Sequence, residues 1–482
     1  MQTSQVRSQC FGRGKPKEEP PAPRQAEFSY NPQDRVVMGA GTTTLNNVGP
    51  GPSVPRAELR DATLEPVEGK YVYSDCDPRQ HAAVAFASAA KTIEMFEALL
   101  GEPIHWAFGS DKLGVVPDHA DREWLNAYYS RWEGSINFFH QRDPITNKTV
   151  QSGHSGEIVA HEAGHAILDA LRPEYLNSWG PDVGGFHEAF GDCMALVISL
   201  QDERVLNRLM VQTGGDLSKP NLAAAMAEEL GQGINDVRGE NRTGGDLIRN
   251  AINNFKWQDP STLPDRGGPD ELGSEAHSFS RLWTGAFYDV LKGIAEANKA
   301  AGMAPKDAIR AAGQEGMKMM ANLMKTAPRG EFTYREMAQA LIQAEDRYNG
   351  GKYSGLIRQV FTDRLILPAE APPTPEPPVP PTLATAEPRT LSLTLSGPQF
   401  GQFNGALVEV PVPAFPGKDA EIAQRALKSL ERHIAAGRIR YNDPNYRMKL
   451  PDDAFDPHGQ PYVGYVVWEN GQMKLERSKI AT

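Results

Sequence analysis

Between residues 78 and 100, Ala, Ile, Met, Phe and Leu recur at three- and four-residue intervals, and Gly101 follows as a stop, which predicts an amphipathic helix. Residues 104–108 and 135–139 instead read as short strands, rich in aromatic and β-branched positions. From Ser155 onward the period is helical again. It predicts helices over 155–172, 185–201, 222–231, 276–298, 305–326 and 333–348, separated by loops that carry Gly and Pro. A lobe with strands followed by a lobe of helices is an α+β arrangement.

The two ends of the chain read differently. Residues 1–66 are rich in Gly, Pro and charge, a composition that buries too little apolar surface to offset the entropy of ordering, so a largely extended or disordered leader is expected. Residues 366–388, with Pro377, Pro378, Pro380 and Pro381 in the middle, predict a polyproline-like linker. Beyond it, residues 389–482 offer two strand candidates, a helix near 418–437, and a hairpin in which Asn470 and Gly471 join 462–468 to 473–476. A small α/β domain is expected there, leaving 67–365 as the main unit.

Composition narrows the function classes. At 482 residues the chain is long enough for two or three units with cores of their own. A formal net charge of -11 argues against a polyanionic partner, so nucleic acid is not expected as a ligand. The apolar run 194–200 is far shorter than the eighteen or so residues a membrane-spanning helix needs. The first ten residues are polar and offer no core for a secretory signal, which predicts a cytoplasmic location. Cys10, Cys76 and Cys193 lack metal-type spacing, so imidazole and carboxylate would have to hold any metal, and Cys193 reads as a buried small hydrophobe.

The candidate chemistry centres on His161-Glu162-Ala163-Gly164-His165, with Ser155 as an N-cap upstream and Pro173 as a limit downstream. Histidines four apart share a helix face and can converge on one ion. Glu162 lies about 100° round from His161, badly placed to ligate but able to reach a water on that ion, as a general base does. A catalytic zinc takes three protein ligands and keeps one position open, so a third ligand must come from elsewhere. Glu188 and Asp192 are one helical turn apart: the first suits the metal, the second a hydrogen bond from a ligating histidine.

These motifs, His161-Glu162-x-x-His165 and Glu188-x-x-x-Asp192, resemble those of the thermolysin-like zinc metallopeptidases. The longer histidine motif of another zinc-peptidase class is absent, because Leu168 and Leu171 stand at its Gly and His positions. The resemblance, over roughly residues 67–365, implies a strand-bearing N-terminal lobe and a helical C-terminal lobe around Zn2+ held by His161, His165 and Glu188. It further implies Glu162 as general base, His277 and Tyr175 at the oxyanion, and Arg249 on a substrate carbonyl, with Ser280 and Tyr288 at family-like offsets from His277. Residues 137–139 resemble the edge strand on which the family lays its peptide. The implied activity is that of an endopeptidase acting on peptides or proteins.

Two other readings stay open. One is a non-catalytic zinc-binding adaptor working through the C-terminal domain, against which the intact Glu162 counts; the other is a hydrolase of a non-peptide amide. The family's calcium site falls on Glu157 and Ser199 here, and since a serine carries no charge, that site should be absent.

Overall fold

The computed structural model describes residues 24–119, 123–238, 248–369, 386–449, 452–457 and 461–481; residues 1–23 and most of the expected linker lie outside them. The chain opens with two antiparallel ladders, β1 (Ala26–Tyr30) with β2 (Gly41–Leu45), and β3 (Ser53–Val54) with β4 (Ala57–Leu59). Residues 24–66 are therefore an ordered part of the fold and not a disordered leader. Phe28, Tyr30, Leu45, Ala57, Leu59 and Leu64 are all buried, and Phe28 stacks on Tyr71 with ring centres 4.5 Å apart. Averaged composition hides a two-residue period this short, and Pro50, Gly51, Pro52 and Pro55 sit in the turns between the strands.

The helix expected over 78–100 is α1 (Gln80–Leu100), ended by Gly101 at φ 79° in the left-handed conformation that glycine adopts without strain. Residues 104–108 form no strand; Trp106 stacks on Phe108 in a loop, and β5 (Leu113–Val116) follows. Next come β6 (Ala127–Ser130), β7 (Ser135–Phe138) and the small ladder of β8 (His140–Arg142) with β9 (Thr149–Gln151).

The helical lobe contains α2 (Gly156–Leu171), α3 (Pro181–Ser199), α4 (Glu203–Thr213), α5 (Glu228–Arg238), α6 (Ala276–Ala300), α7 (Pro305–Leu323), α8 (Tyr334–Tyr348) and α9 (Ser354–Asp363). α3 starts four residues before its expected position because Pro181 occupies the first turn, where its missing N–H costs nothing. The helix expected over 222–231 is displaced. Asn221 Oδ1 accepts from the N–H groups of Ala223 and Ala224, bending the chain into β10 (Ala225–Met226), which pairs with β11 (Arg249–Asn250). α4 and α9 were not anticipated.

The last part of the chain folds as a mixed sheet with one helix packed on it. β12 (Arg389–Thr394), β13 (Leu407–Val412), β14 (Ile439–Arg440), β15 (Gly464–Glu469) and β16 (Gln472–Arg477) form a sheet in the order β12-β13-β16-β15-β14. Helix α10 (Asp419–Ala435) packs Ile422, Ala426 and Leu430 into the same core as Val408, Val410, Val466 and Leu475. The predicted hairpin turn is present, with Asn470 and Gly471 at φ 50° and 79°.

This domain is tied to the main unit. Trp179 enters its core, and Arg438 pairs with Asp265. Its final strand, β17 (Ile480–Ala481), pairs with β6, so the main sheet runs β17-β6-β7-β5-β4-β3. Mixed α/β architecture is thus as expected. No single helix among the described residues is long and apolar enough to cross a membrane.

Candidate metal centre

Helix α2 begins at Ser155, whose side chain accepts from the N–H of Ile158 and caps the helix as expected. It crosses α3 closely because both helices carry glycine at the crossing. A Cβ on Gly164 would lie 3.1 Å from Gly191 Cα, and one on Gly191 would lie 2.7 Å from His161 Nδ1. The absence of both methyl groups lets the imidazoles of α2 meet the carboxylates of α3.

At that crossing His161, His165 and Glu188 place one ligand atom each within 4.8 Å of the others, and all three are buried. Among the described residues no other group of His, Cys, Asp or Glu does so. Glu188 reaches both histidines, at 3.5 Å from His161 Nε2 and 3.6 Å from His165 Nε2. His165 Nε2, Glu188 Oε2 and Glu162 Oε2 are buried without a hydrogen-bond partner among the described residues. Buried polar atoms are normally satisfied, and imidazole nitrogen with carboxylate oxygen is a donor set suited to a divalent metal ion. The residues present therefore fit a metal.

The neighbours orient these groups. Asp192 Oδ1 lies 3.1 Å from His161 Nδ1, as the spacing predicted, and Asp192 Oδ2 accepts from Thr284 Oγ1 at 3.0 Å. Burial opposes charge on Asp192, but Arg249 and His161 outweigh it and hold the carboxyl below its usual range. His165 Nδ1 meets His187 Nδ1 at 2.8 Å, and burial pushes His187 down to about 3, so it stays a neutral imidazole. Neither Thr284 nor His187 was singled out in the sequence.

Three further predicted residues come to the same place. Glu162 is buried beside His161, and burial pushes its carboxyl up to about 8. Arg249, carried over the cluster by the β10–β11 ladder, sets its Nε 2.9 Å from Asp192 and a terminal nitrogen 3.7 Å from Glu188. His277, in the first turn of α6, lies 3.4 Å from Glu188 Oε2, and its Nδ1 is 2.5 Å from Glu275 Oε1. Burial would lower His277, but Glu188 and Glu275 overcome it and push it up to about 9. A cleft of about 100 Å³ joins His161, Glu162, Arg249 and His277 to Asn126 and Ala127. A larger cavity of about 740 Å³, between α10 and residues 257–265, contains none of the metal-binding group.

Other expectations fail on geometry. The Tyr175 hydroxyl donates to Pro328 O at 2.5 Å and its ring packs on Phe332, so it is a core residue rather than an oxyanion contact. Tyr288 likewise bonds Leu217 O, and Ser280 Oγ bonds His277 O in the preceding turn. Asn137 and Phe138 belong to β7, which has β5 on one side and β6 on the other, so they are not at an edge. The strand that borders the cleft is β6.

One turn before His161, Glu157 is buried with Asp34 and Glu228 beside it, and its Oε2 accepts from Ala227 N at 3.3 Å. Burial first, then those two carboxylates, push Glu157 well above its ordinary value. The Ser199 hydroxyl donates to Leu196 O at 2.9 Å.

No protein-family model matches this chain, and no curated protein sequence matches it either.

Proposed function

We propose that the chain is a zinc-dependent peptidase whose parts are laid out as in the thermolysin-like enzymes. The observation that carries this reading is the convergence of His161, His165 and Glu188 with a buried carboxylate, Glu162, next to them. A purely structural ion has no use for a base at its open side. His161, His165 and Glu188 would hold the ion. When bound there, zinc supplies Lewis acidity, draws the pKa of water toward neutrality and, as a neighbouring dication, favours the charged form of Glu162.

The remaining work falls to the protein's own side chains. Glu162 Oε2, which has no hydrogen-bond partner among the described residues, takes the proton of the attacking water and passes it to the departing amine nitrogen. His277, oriented by Glu275, donates from Nε2 to the oxygen on which negative charge grows. Arg249, anchored on Asp192 through Nε, directs its terminal nitrogens to a substrate carbonyl. Asp192 fixes the orientation of His161.

Metal analysis of the purified protein, joined to a peptide digest with mapped cut sites, tests the reading. The expected result is about one zinc per chain and cleavage that a chelator abolishes and zinc restores. Bound metal without cleavage of any amide would favour the adaptor. Cleavage confined to non-peptide amides would favour the third reading.

A further inference from the structure

The loop that leads into α6 is closed by its own backbone. Ser274 N donates to Pro264 O and Glu275 N to Asp265 O, each at 2.9 Å, so residues 264–275 form a ring with a two-bond neck. Gly273 packs against that neck: a Cβ there would lie 2.5 Å from Gly267 N and 2.8 Å from Asp265 O. Arg281, in the second turn of α6, donates back to Gly268 O at 3.3 Å and Pro269 O at 2.7 Å. The Ser278 hydroxyl accepts from Gly273 N at 2.7 Å. Loop and helix start are therefore one unit, and His277 belongs to it.

The C-terminal domain grips this unit from outside. Arg432, in the last turn of α10, donates to Pro260 O at 2.5 Å and to Ser261 O. Arg438 pairs with Asp265, which lies 173 residues earlier in the chain. The backbone of Arg438 is fixed twice: its N–H donates to His433 O near the end of α10, and its carbonyl accepts from Val463 N, both at 2.9 Å. Asp265 thus meets Arg438 through its carboxylate and Glu275 through its carbonyl. Glu275 Oε1 lies 2.5 Å from His277 Nδ1, and its Oε2 accepts from Ser278 N at 3.3 Å. Burial opposes charge on Glu275, but His277 and then Arg438 outweigh it and hold the carboxyl below its ordinary range.

We propose that Arg438 is a positioning residue for His277: held by the C-terminal domain, it fixes Asp265, whose carbonyl places Glu275, which in turn aims His277 at the oxyanion. A donor displaced by a fraction of an ångström keeps its charge and loses much of its effect on the transition state. This rests on the peptidase reading and gives the C-terminal domain a part in it, although that domain lies outside the stretch that resembles the peptidases.

The test is a double-mutant cycle on the zinc-loaded full chain, read by peptide cleavage. Arg438→Gln should lower kcat by about tenfold with KM and zinc content unchanged, because the contact it supports tightens chiefly in the transition state. Asp265→Asn, which removes the other half of the pair, should give a similar loss, and Arg438→Lys, which keeps the charge, a smaller one. In a His277→Ala background Arg438→Gln should cost nothing further, since its route to the chemistry is gone. Lys418→Gln breaks an ion pair with Glu336 of α8 across the same boundary and should leave kcat as it is. Undiminished kcat in both Arg438→Gln and Asp265→Asn, a change confined to KM, equal losses with and without His277, or the same loss in Lys418→Gln overturns the positioning and leaves the peptidase standing. Zinc-loaded parent protein that cuts no peptide overturns the peptidase reading on its own, and the NMR signals of the His277 ring then decide the rest. They should shift in Arg438→Gln and not in Lys418→Gln; no shift in the first overturns the positioning as well.

Discussion

Two buried polar clusters sit one turn apart on α2, and they are built on opposite principles. Around His161 and His165, carboxylates and cations alternate: Glu188, Asp192 and Glu275 face Arg249 and His277 at 2.9 to 3.7 Å or through hydrogen bonds. Around Glu157, carboxylates face carboxylates, from the loop bearing Asp34 and from the start of α5 at Glu228. In the first cluster Asp192 keeps its charge despite burial; in the second Glu157 is driven toward its neutral form. The same depth of burial therefore serves charge in one place and protonation in the other, and the partners decide which.

The sharpest way to break this contrast is to remove one group at a time. Glu162→Gln should cut peptide hydrolysis by on the order of 10²- to 10⁴-fold with zinc retained, because glutamine keeps the shape and loses the base. His161→Ala or Glu188→Ala should remove zinc and hydrolysis together, as metal analysis of each variant would reveal. His277→Ala should lower kcat by on the order of 10²-fold with zinc unchanged, the usual cost of losing one oxyanion donor. A change confined to KM would instead make His277 a plain substrate contact.

Asp192→Asn comes next, with zinc affinity or turnover reduced by roughly 10- to 100-fold. Unchanged affinity in a chelator competition would mean that Thr284 and Arg249 hold Asp192 for packing alone.

The acidic cluster gives the smaller effects. Glu228 is raised to about 7, first by burial and then by Asp34, against an ordinary value near 4.5. Folding then favours the protonated carboxyl, so this contribution to stability is complete below about pH 4.5 and is lost as pH rises through 7. Melting temperature should fall between pH 5 and pH 8, and Glu228→Gln should flatten that fall by on the order of a few degrees. Millimolar calcium should move the melting temperature by no more than about a degree or two, since the three acids do not converge as ligands and Glu203 is paired with Lys306 and Arg310.

What the sequence disclosed follows the range of each interaction. His161, Glu162 and His165 lie within one helical turn and a half, and Glu188 and Asp192 within one turn, so spacing alone placed each set on a face. Residues brought in from afar left weaker traces. His187 adjoins Glu188, but nothing local says that its ring meets His165 across the helix crossing. Thr284 reaches Asp192 from a different helix, and only the position of His277 hinted that α6 approaches the site. Tyr175 lay at a reasonable sequence offset, yet its direction is set by Pro328 and Phe332, far along the chain. Strand order is decided by pairing between separate segments: residues 135–139 were legible as a strand, but the position of β7 inside the sheet depends on β5 and β6 pairing on its two sides, and β6 is flanked in turn by β17, more than three hundred residues later.

The glycine crossing of α2 and α3 has a consequence for how fast the protein can be emptied and refilled. Gly164 and Gly191 bring the backbones together through contacts that involve no metal, alongside the buried side chains Phe186, Phe190 and Met194 on α3. The donor atoms are thus gathered by packing before any ion arrives, unlike small domains in which binding and folding are one event. Stripping the metal should leave helix content and the cooperative melt intact, and re-addition should restore function in a single phase whose rate grows with ion concentration, with no slow refolding step trailing behind it.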